Sequence, residues 1–237
     1  MGFFSKKKKA PDKLQIKGFP GHVDTCKCLY LAAEKGVMID LNLLDITQKE
    51  HEDSAFRSLS PFGKIPSLSE TNLVVSGVAS ILPFIDIKGG GQSLTPKKAA
   101  NLGLQNYWVE VGINHVLPNI NILVEEHVLY PMRDSSHQPD EEKIGSALKE
   151  LGNIFSVADI HLKEKKHFAN DYSFAEVHWV PYLHFYHITG HKTLLNQYPN
   201  LEQWFEDMKT RKKGSLNTYD VLPDLEQING KNIKHVA

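Results

Sequence analysis

Lys64-Ile65-Pro66, with Ser76-Gly77 shortly after it, is the part of this 237-residue chain whose residue types most directly suggest chemistry. Pro66 has no backbone N–H, so it fits only the start or edge of a strand. An Xaa-Pro bond is also the one place where a cis peptide is cheap. A cis Ile65-Pro66 bond turns the N–H and C=O of Ile65 outward, where they can pair with an extended peptide as an added strand. Ser76-Gly77 opens a helical run whose N-terminus attracts a carboxylate. Peptide-pairing backbone beside an anion-seeking helix end points to a small acidic peptide as ligand.

The other reactive side chains suggest less. Cys26 and Cys28 form a C-x-C pair inside a helix, not the C-x-x-C spacing of a redox motif, and Cys26 falls on the apolar face. Both are read as packing residues. His184, His187 and His191 share one helical face at spacings that can ligate zinc, but Gly190 ends the helix before His191 and no cysteine or carboxylate joins them. No metal site is expected. There is no glycine-rich phosphate loop, Ser-His-Asp order or paired-carboxylate arrangement.

The formal net charge of −1 argues against a nucleic-acid partner, and no apolar run is long enough to span a bilayer. Two closely spaced cysteines cannot staple a fold, so a reducing, cytoplasmic location is expected. Residues 1–13, with four consecutive lysines, read as a disordered basic leader; Lys6 stands where an acylation signal wants Ser or Thr.

The elements that position these residues follow from periodicity. Residues 14–17 read as a strand ended by Gly18, Pro20 and Gly21. Val23, Cys26, Tyr30, Ala33 and Val37 mark an amphipathic helix closing at Gly36, and 41–46 a second strand. Strand, helix, strand makes a right-handed βαβ unit with parallel strands. A strand beginning at 64, a second at 73–75 and a helix over 77–87 complete a small α/β domain, 14–88. Gly89-Gly90-Gly91 marks a linker, 89–95. From 96 to 237 the signal is helical. One helix is expected from Pro96 to about Tyr130, kinked at Pro118, and another over 141–165. Ser173 and Glu176 form a capping box for a buried central helix, and a last amphipathic helix carries Leu201, Trp204, Phe205 and Met208.

Three segments carry a family resemblance. Ser60-Pro61-Phe62-Gly63-Lys64-Ile65-Pro66-Ser67-Leu68 resembles the NPFG(Q/K)(I/V)PxL signature of the glutathione transferase superfamily, with Ser76-Gly77-Val78-Ala79 where that family has a Glu-Ser pair. Asp171 to Val177, followed by Pro181-Tyr182-Leu183, is similar to its (D)xFSxAD…PYL helix, and Tyr198-Pro199-Asn200-Leu201 with Trp204 to its terminal helix. The resemblance spans about residues 14–215. It implies a thioredoxin-like α/β domain (βαβ then ββα) that holds glutathione along the cis-proline edge, then an all-α helical-bundle domain, and a homodimer.

Glutathione chemistry needs a donor that stabilises the thiolate at the start of the first helix. Counting back from Gly36 by the family pattern arrives at His22, with Thr25 the next candidate; neither is the Ser, Cys or Tyr of the family. A neutral imidazole N–H can donate to a thiolate. The resemblance further implies that His51 and Lys64 clamp the glycine carboxylate and that Ile65, beside Pro66, pairs with the cysteinyl unit. Ser76 and Gly77 would hold the γ-glutamyl carboxylate through hydroxyl and backbone N–H. Asp86 reads as a structural residue near a helix end. A small hydrophobic electrophile would lie between the domains, with Tyr107, Trp108, Asn114, His115 and Tyr130 as its candidate neighbours. At helical spacing such aromatics can equally be core. The implied function is a glutathione transferase, attacking by addition, substitution or thiol-dependent reduction, dehalogenation and peroxide reduction included; a non-catalytic relative that binds glutathione, an apolar ligand or a protein is the alternative.

Overall fold

The computed structural model describes residues 14–230; the basic leader expected at 1–13 lies outside them. Strand β1 (Leu14–Gly18) alternates buried and half-buried side chains, as a strand with one face on a core must. Helix α1 (Val23–Lys35) follows and stops at Gly36, which takes the left-handed conformation (φ 65°) that glycine adopts without steric cost. Strand β2 (Ile39–Leu43) pairs parallel with β1, giving the expected βαβ unit. It starts two residues earlier than the periodicity suggested and stops before 44. Leu44 and Ile46 are buried in the coil beyond it, and their burial mimicked a continuing strand.

A short helix, α2 (Ser54–Arg57), pins Phe56 into the core. Strands β3 (Ser67–Glu70) and β4 (Leu73–Ser76) are antiparallel, and the sheet runs β2-β1-β3-β4. The Ile65-Pro66 bond is cis, and Pro66 stands just before β3, so the strand begins three residues later than expected. Helix α3 (Val78–Lys88) packs beside α1. Near its end Asp86 is buried, paired with Lys35 at 2.9 Å, and accepts from Ser93 Oγ and the Leu94 N–H. Those bonds hold the chain after Gly91 as a loop. The next helix therefore starts at Ala99, not at Pro96.

From there α4 (Ala99–Val111), a π turn (Gly112–Val116), α5 (Leu117–Val124), a second π turn (Glu125–Leu129) and α6 (Tyr130–Arg133) form one continuous helical run. Proline removes an N–H and crowds the carbonyl four residues back. Those residues are Asn114 for Pro118 and His127 for Pro131, and each lies in the π turn ahead of its proline. The helix widens to accommodate both prolines, where the sequence suggested a single kink.

Helix α7 (Glu141–Leu162) is capped by Asp140, which accepts from the Lys143 N–H. Helix α8 (Phe174–Tyr186) carries the expected capping box and is buried along all 13 residues, the centre of the helical half. The chain then breaks from helical geometry at Gly190 (φ 96°), as its glycine suggested. Helix α9 (Pro199–Lys209) is held at its N-terminus by Asp159 of α7, whose carboxylate accepts the N–H groups of Asn200 and Leu201. Beyond it lie elements the periodicity did not show: a hairpin of β5 (Lys212–Lys213) and β6 (Leu216–Asn217), and α10 (Leu225–Gly230). Among the described residues no helix is long and apolar enough to cross a membrane.

The two halves meet where α1 packs on α8. Lys27 of α1 is fully buried there, and its ammonium donates to Asp24 Oδ1 at 2.7 Å and to Tyr182 Oη at 2.8 Å. Burial works against that charge, but Tyr182 and Asp24 outweigh it and raise the Lys27 pKa.

Candidate functional site

Gly18 ends β1 at a point of close approach. A Cβ there would stand 2.8 Å from Thr25 Oγ1 and 3.2 Å from Pro66 Cβ, so only glycine lets the first turn of α1 meet the proline edge. The loop between is tied back by Cys26, whose thiol donates to the Pro20 carbonyl at 3.0 Å. Burial pushes the Cys26 and Cys28 thiols up, so neither supplies a thiolate at neutral pH.

His22 is the N-cap of α1, and no side chain caps the helix. The first amides of a helix lack intrahelical partners and carry the positive end of its dipole. His22 Nδ1 and Thr25 Oγ1 are both buried without a hydrogen-bond partner. Buried polar atoms in that condition are uncommon, and here two stand on one helical turn beside a cis-proline edge. Burial lowers the His22 pKa; Asp24 raises it, while Lys27, His51 and Lys64 lower it further. The imidazole is therefore neutral at pH 7, with one nitrogen a donor and the other an acceptor. The charges that act on it bring His22, His51 and Lys64, from three separate segments, into one neighbourhood. His51 Nδ1 is likewise buried and unpartnered, whereas Lys64 is exposed.

Ser76 and Gly77 stand elsewhere in the hydrogen-bond scheme than the sequence suggested. Ser76 Oγ donates to the Leu59 carbonyl at 3.3 Å, and the Gly77 N–H donates to the Pro66 carbonyl at 3.1 Å. Gly77 (φ 82°) turns the chain into α3, and the helix-start amides left for an anion are those that follow it.

The aromatic neighbours proposed for a second ligand do not converge. Trp108 is core: it is 2% exposed and packs against Phe168, Trp179 and His161. Tyr107 is 53% exposed, Asn114 and His115 are exposed, and Tyr130 leans on His137. Tyr107 and Tyr130 lie about 35 Å apart along the helical run, at 1.5 Å per residue, so one small ligand cannot touch both. A cavity of about 250 Å³ lies instead against the loop before α1, walled by Phe19, Pro20, Leu44, Met132 and Ile228, with Glu50 at its edge. No local pattern announces it, because its walls come from four distant segments.

The three histidines near the end of α8 diverge. The Pro223 carbonyl can only accept, so His184 donates to it from Nε2 (2.9 Å) and accepts from Tyr219 Oη at Nδ1 (2.8 Å). His187 packs on Phe205, and His191 turns to His127.

Comparison with known proteins adds three kinds of likeness. Residues 120–212 match the family model described as glutathione S-transferase, C-terminal domain. The chain is 31% identical over 191 residues to glutathione S-transferase F13 of Arabidopsis thaliana, covering 78% of this chain and 84% of that protein. Among solved structures, glutathione transferase F7 from Populus trichocarpa superposes with a TM-score of 0.77 at 26% identity, over 87% of this chain and 96% of that one. A glutathione S-transferase-I bound with lactoylglutathione gives 0.76 at 20% identity, over 84% and 95%.

Proposed function

Because the chain belongs to the glutathione transferase superfamily, we propose that it binds reduced glutathione against the Pro66 edge and activates its thiol for attack on a small hydrophobic electrophile. The observation that carries this reading is the pair of buried, unpartnered polar atoms at the uncapped start of α1, His22 Nδ1 and Thr25 Oγ1. A thiolate there would accept from the neutral imidazole and from helix-start amides, and both favour the anion over the thiol. The thiol proton leaves to solvent. The sulfur forms a bond to carbon while a leaving group departs with its electron pair, or adds across an activated double bond. Placement and the lowered thiol pKa supply the rate.

Lys64 and His51 are assigned to the glycine carboxylate, and the Ile65 backbone to the cysteinyl unit. The γ-glutamyl carboxylate is assigned to Ser76 and to the amides at the start of α3. The 250 Å³ cavity beside Phe19 is assigned to the electrophile. A homodimer in a reducing cytoplasm completes the proposal; exposed Phe62, Val74 and Ile87 supply apolar surface for pairing, and two free buried cysteines suit such a compartment.

A second reading, a non-catalytic glutathione-binding relative, is favoured by the bonds that already engage Ser76 Oγ and the Gly77 N–H. Ultraviolet difference titration of bound glutathione separates the two. A bound thiol pKa well below that of free glutathione, moving back toward it in His22→Ala, is the expected result. Binding with an unshifted pKa in the wild type would overturn the catalytic reading.

A further inference from the structure

Away from that site, a polar cleft of about 800 Å³ lies between the end of α1, the chain from Gly90 to Lys98 and the hairpin after α9. Five cations line it, Lys35, Lys97, Lys98, Arg211 and Lys213, against two carboxylates, Glu34 and Asp171. Lys35 is paired with Asp86, and Arg211 with Glu34. Lys97, Lys98 and Lys213 have no ion-pair partner among the described residues. The Lys213 ammonium is folded over the linker, 3.2 Å from where a Cβ on Gly91 would stand.

These charges have the wrong sign for their place. Helix α4 starts with Lys98 as its N-cap, no side chain caps it, and its first turn holds no acidic residue. Its first intrahelical bond runs from the Leu102 N–H to the Lys98 carbonyl, so the amides of 99–101 have no helical partner. A helix start is partly positive, favoured by anions and disfavoured by cations. Here two lysines precede it and a third reaches the cleft from the hairpin. Arg211 is fixed by two bonds to Glu34, at 3.0 and 2.8 Å, and by stacking on Tyr172 at 3.8 Å. Its Nη1 makes no hydrogen bond, and a guanidinium already held in place loses little freedom on meeting a second anion.

We propose that this cleft binds a small, multiply charged oxyanion of the phosphate-ester or pyrophosphate class, between the start of α4 and the β5–β6 hairpin. Its volume is that of small-molecule sites, about 300–1,000 Å³, and its lysines come from two separate walls. The ligand would neutralise Lys97, Lys98 and Lys213 and accept from the α4 amides. It would also join the linker to the hairpin, independently of glutathione.

Calorimetric titration of the full chain with inorganic pyrophosphate, in a phosphate-free and metal-free buffer, tests this. One saturable equivalent is expected, weakened about tenfold in the double variant Lys98→Gln/Lys213→Gln, which loses a charge-assisted bond from each wall. Both side chains are exposed, so the fold should survive their loss. Lys163→Gln, at an exposed lysine beyond the cleft, should bind as the wild type does. Saturating glutathione should leave the affinity unchanged, and raising the salt from 50 to 200 mM should weaken it. Absence of saturable binding overturns the proposal, as does binding that the double variant retains in full or that is indifferent to salt. Displacement by glutathione would place the anion at the Pro66 edge and overturn it too. Attachment to anionic phospholipid vesicles without saturable pyrophosphate binding would make the lysines a membrane contact instead.

Discussion

Lowering the pH from 7 to 5 should destabilise this protein, and His184 allows the size of the effect to be worked out. The side chain is 3% exposed, and burial lowers its pKa from 6.5 to about 4, partly opposed by the Pro223 carbonyl. The sign follows from proton counts. Between pH 6.5 and 4 the unfolded chain carries a proton on this ring and the folded one does not, so stability falls as the pH drops through that window. With those two values, proton binding favours the unfolded state by about 0.2 kcal/mol at pH 7 and about 2 kcal/mol at pH 5. His184→Gln removes the titration while keeping an amide that can donate to one neighbour and accept from the other. Its direct cost at pH 7 cancels when each protein is compared with itself at the two pH values. Urea unfolding of both proteins at pH 7, 6 and 5 is the assay. The wild type should lose about 2 kcal/mol more than the variant over this range. Equal losses would refute the claim that His184 is held neutral, and with it the hydrogen-bond directions assigned to it. His178, also lowered well below 6.5 by burial, adds to the wild-type loss but not to the difference.

Four further substitutions test the packing. Lys27→Met strips Asp24 and Tyr182 of their shared cation at the contact between the halves, and breaking a buried pair by removing one partner costs about 3–5 kcal/mol; chemical denaturation of the variant and of Tyr182→Phe measures it, and a cost below that of Tyr182→Phe would sink the assignment. Trp108→Ala should cost about 3–5 kcal/mol, as core truncations of large aromatics do. Tyr107→Ala should stay within about 0.5 kcal/mol and leave the proposed transferase activity unchanged; a large change in KM for either would restore that part of the helix to the pocket.

What the sequence made legible was local. The glycine that ends α1, the capping box at Ser173 and Glu176, and the proline at the mouth of β3 each act within a few residues of themselves, so their neighbours in sequence are their neighbours in space. The family motifs extended that reach from 14 to about 215. What stayed hidden depends on distant segments. Trp108 sits among Phe168 and Trp179, far along the chain, so helical spacing could not show that it is core and Tyr107 is not. Nothing local marks Lys27 for burial, because Tyr182, the partner that makes its burial tolerable, lies on α8. The short strands and helix after Met208 fall below the length at which periodicity can be read. His22 was reached by counting along a pattern, but only its surroundings reveal an imidazole kept neutral by burial and by three other basic groups.

Ile228 gives the short helix α10 a significance out of proportion to its size. The side chain is 1% exposed, lines the cavity beside Phe19, and would stand 3.0 Å from a Cβ at Gly21. It lies past residue 212, where the match to the C-terminal family domain ends. One wall of the chamber is thus formed by a segment that is itself tied into the core, through Leu222 and Ile228 and through the bonds of His184 to Tyr219 and Pro223. A substitution at Ile228 therefore alters the cavity wall and the packing against the loop before α1 together. That end of the molecule is also the wrong one for an affinity tag.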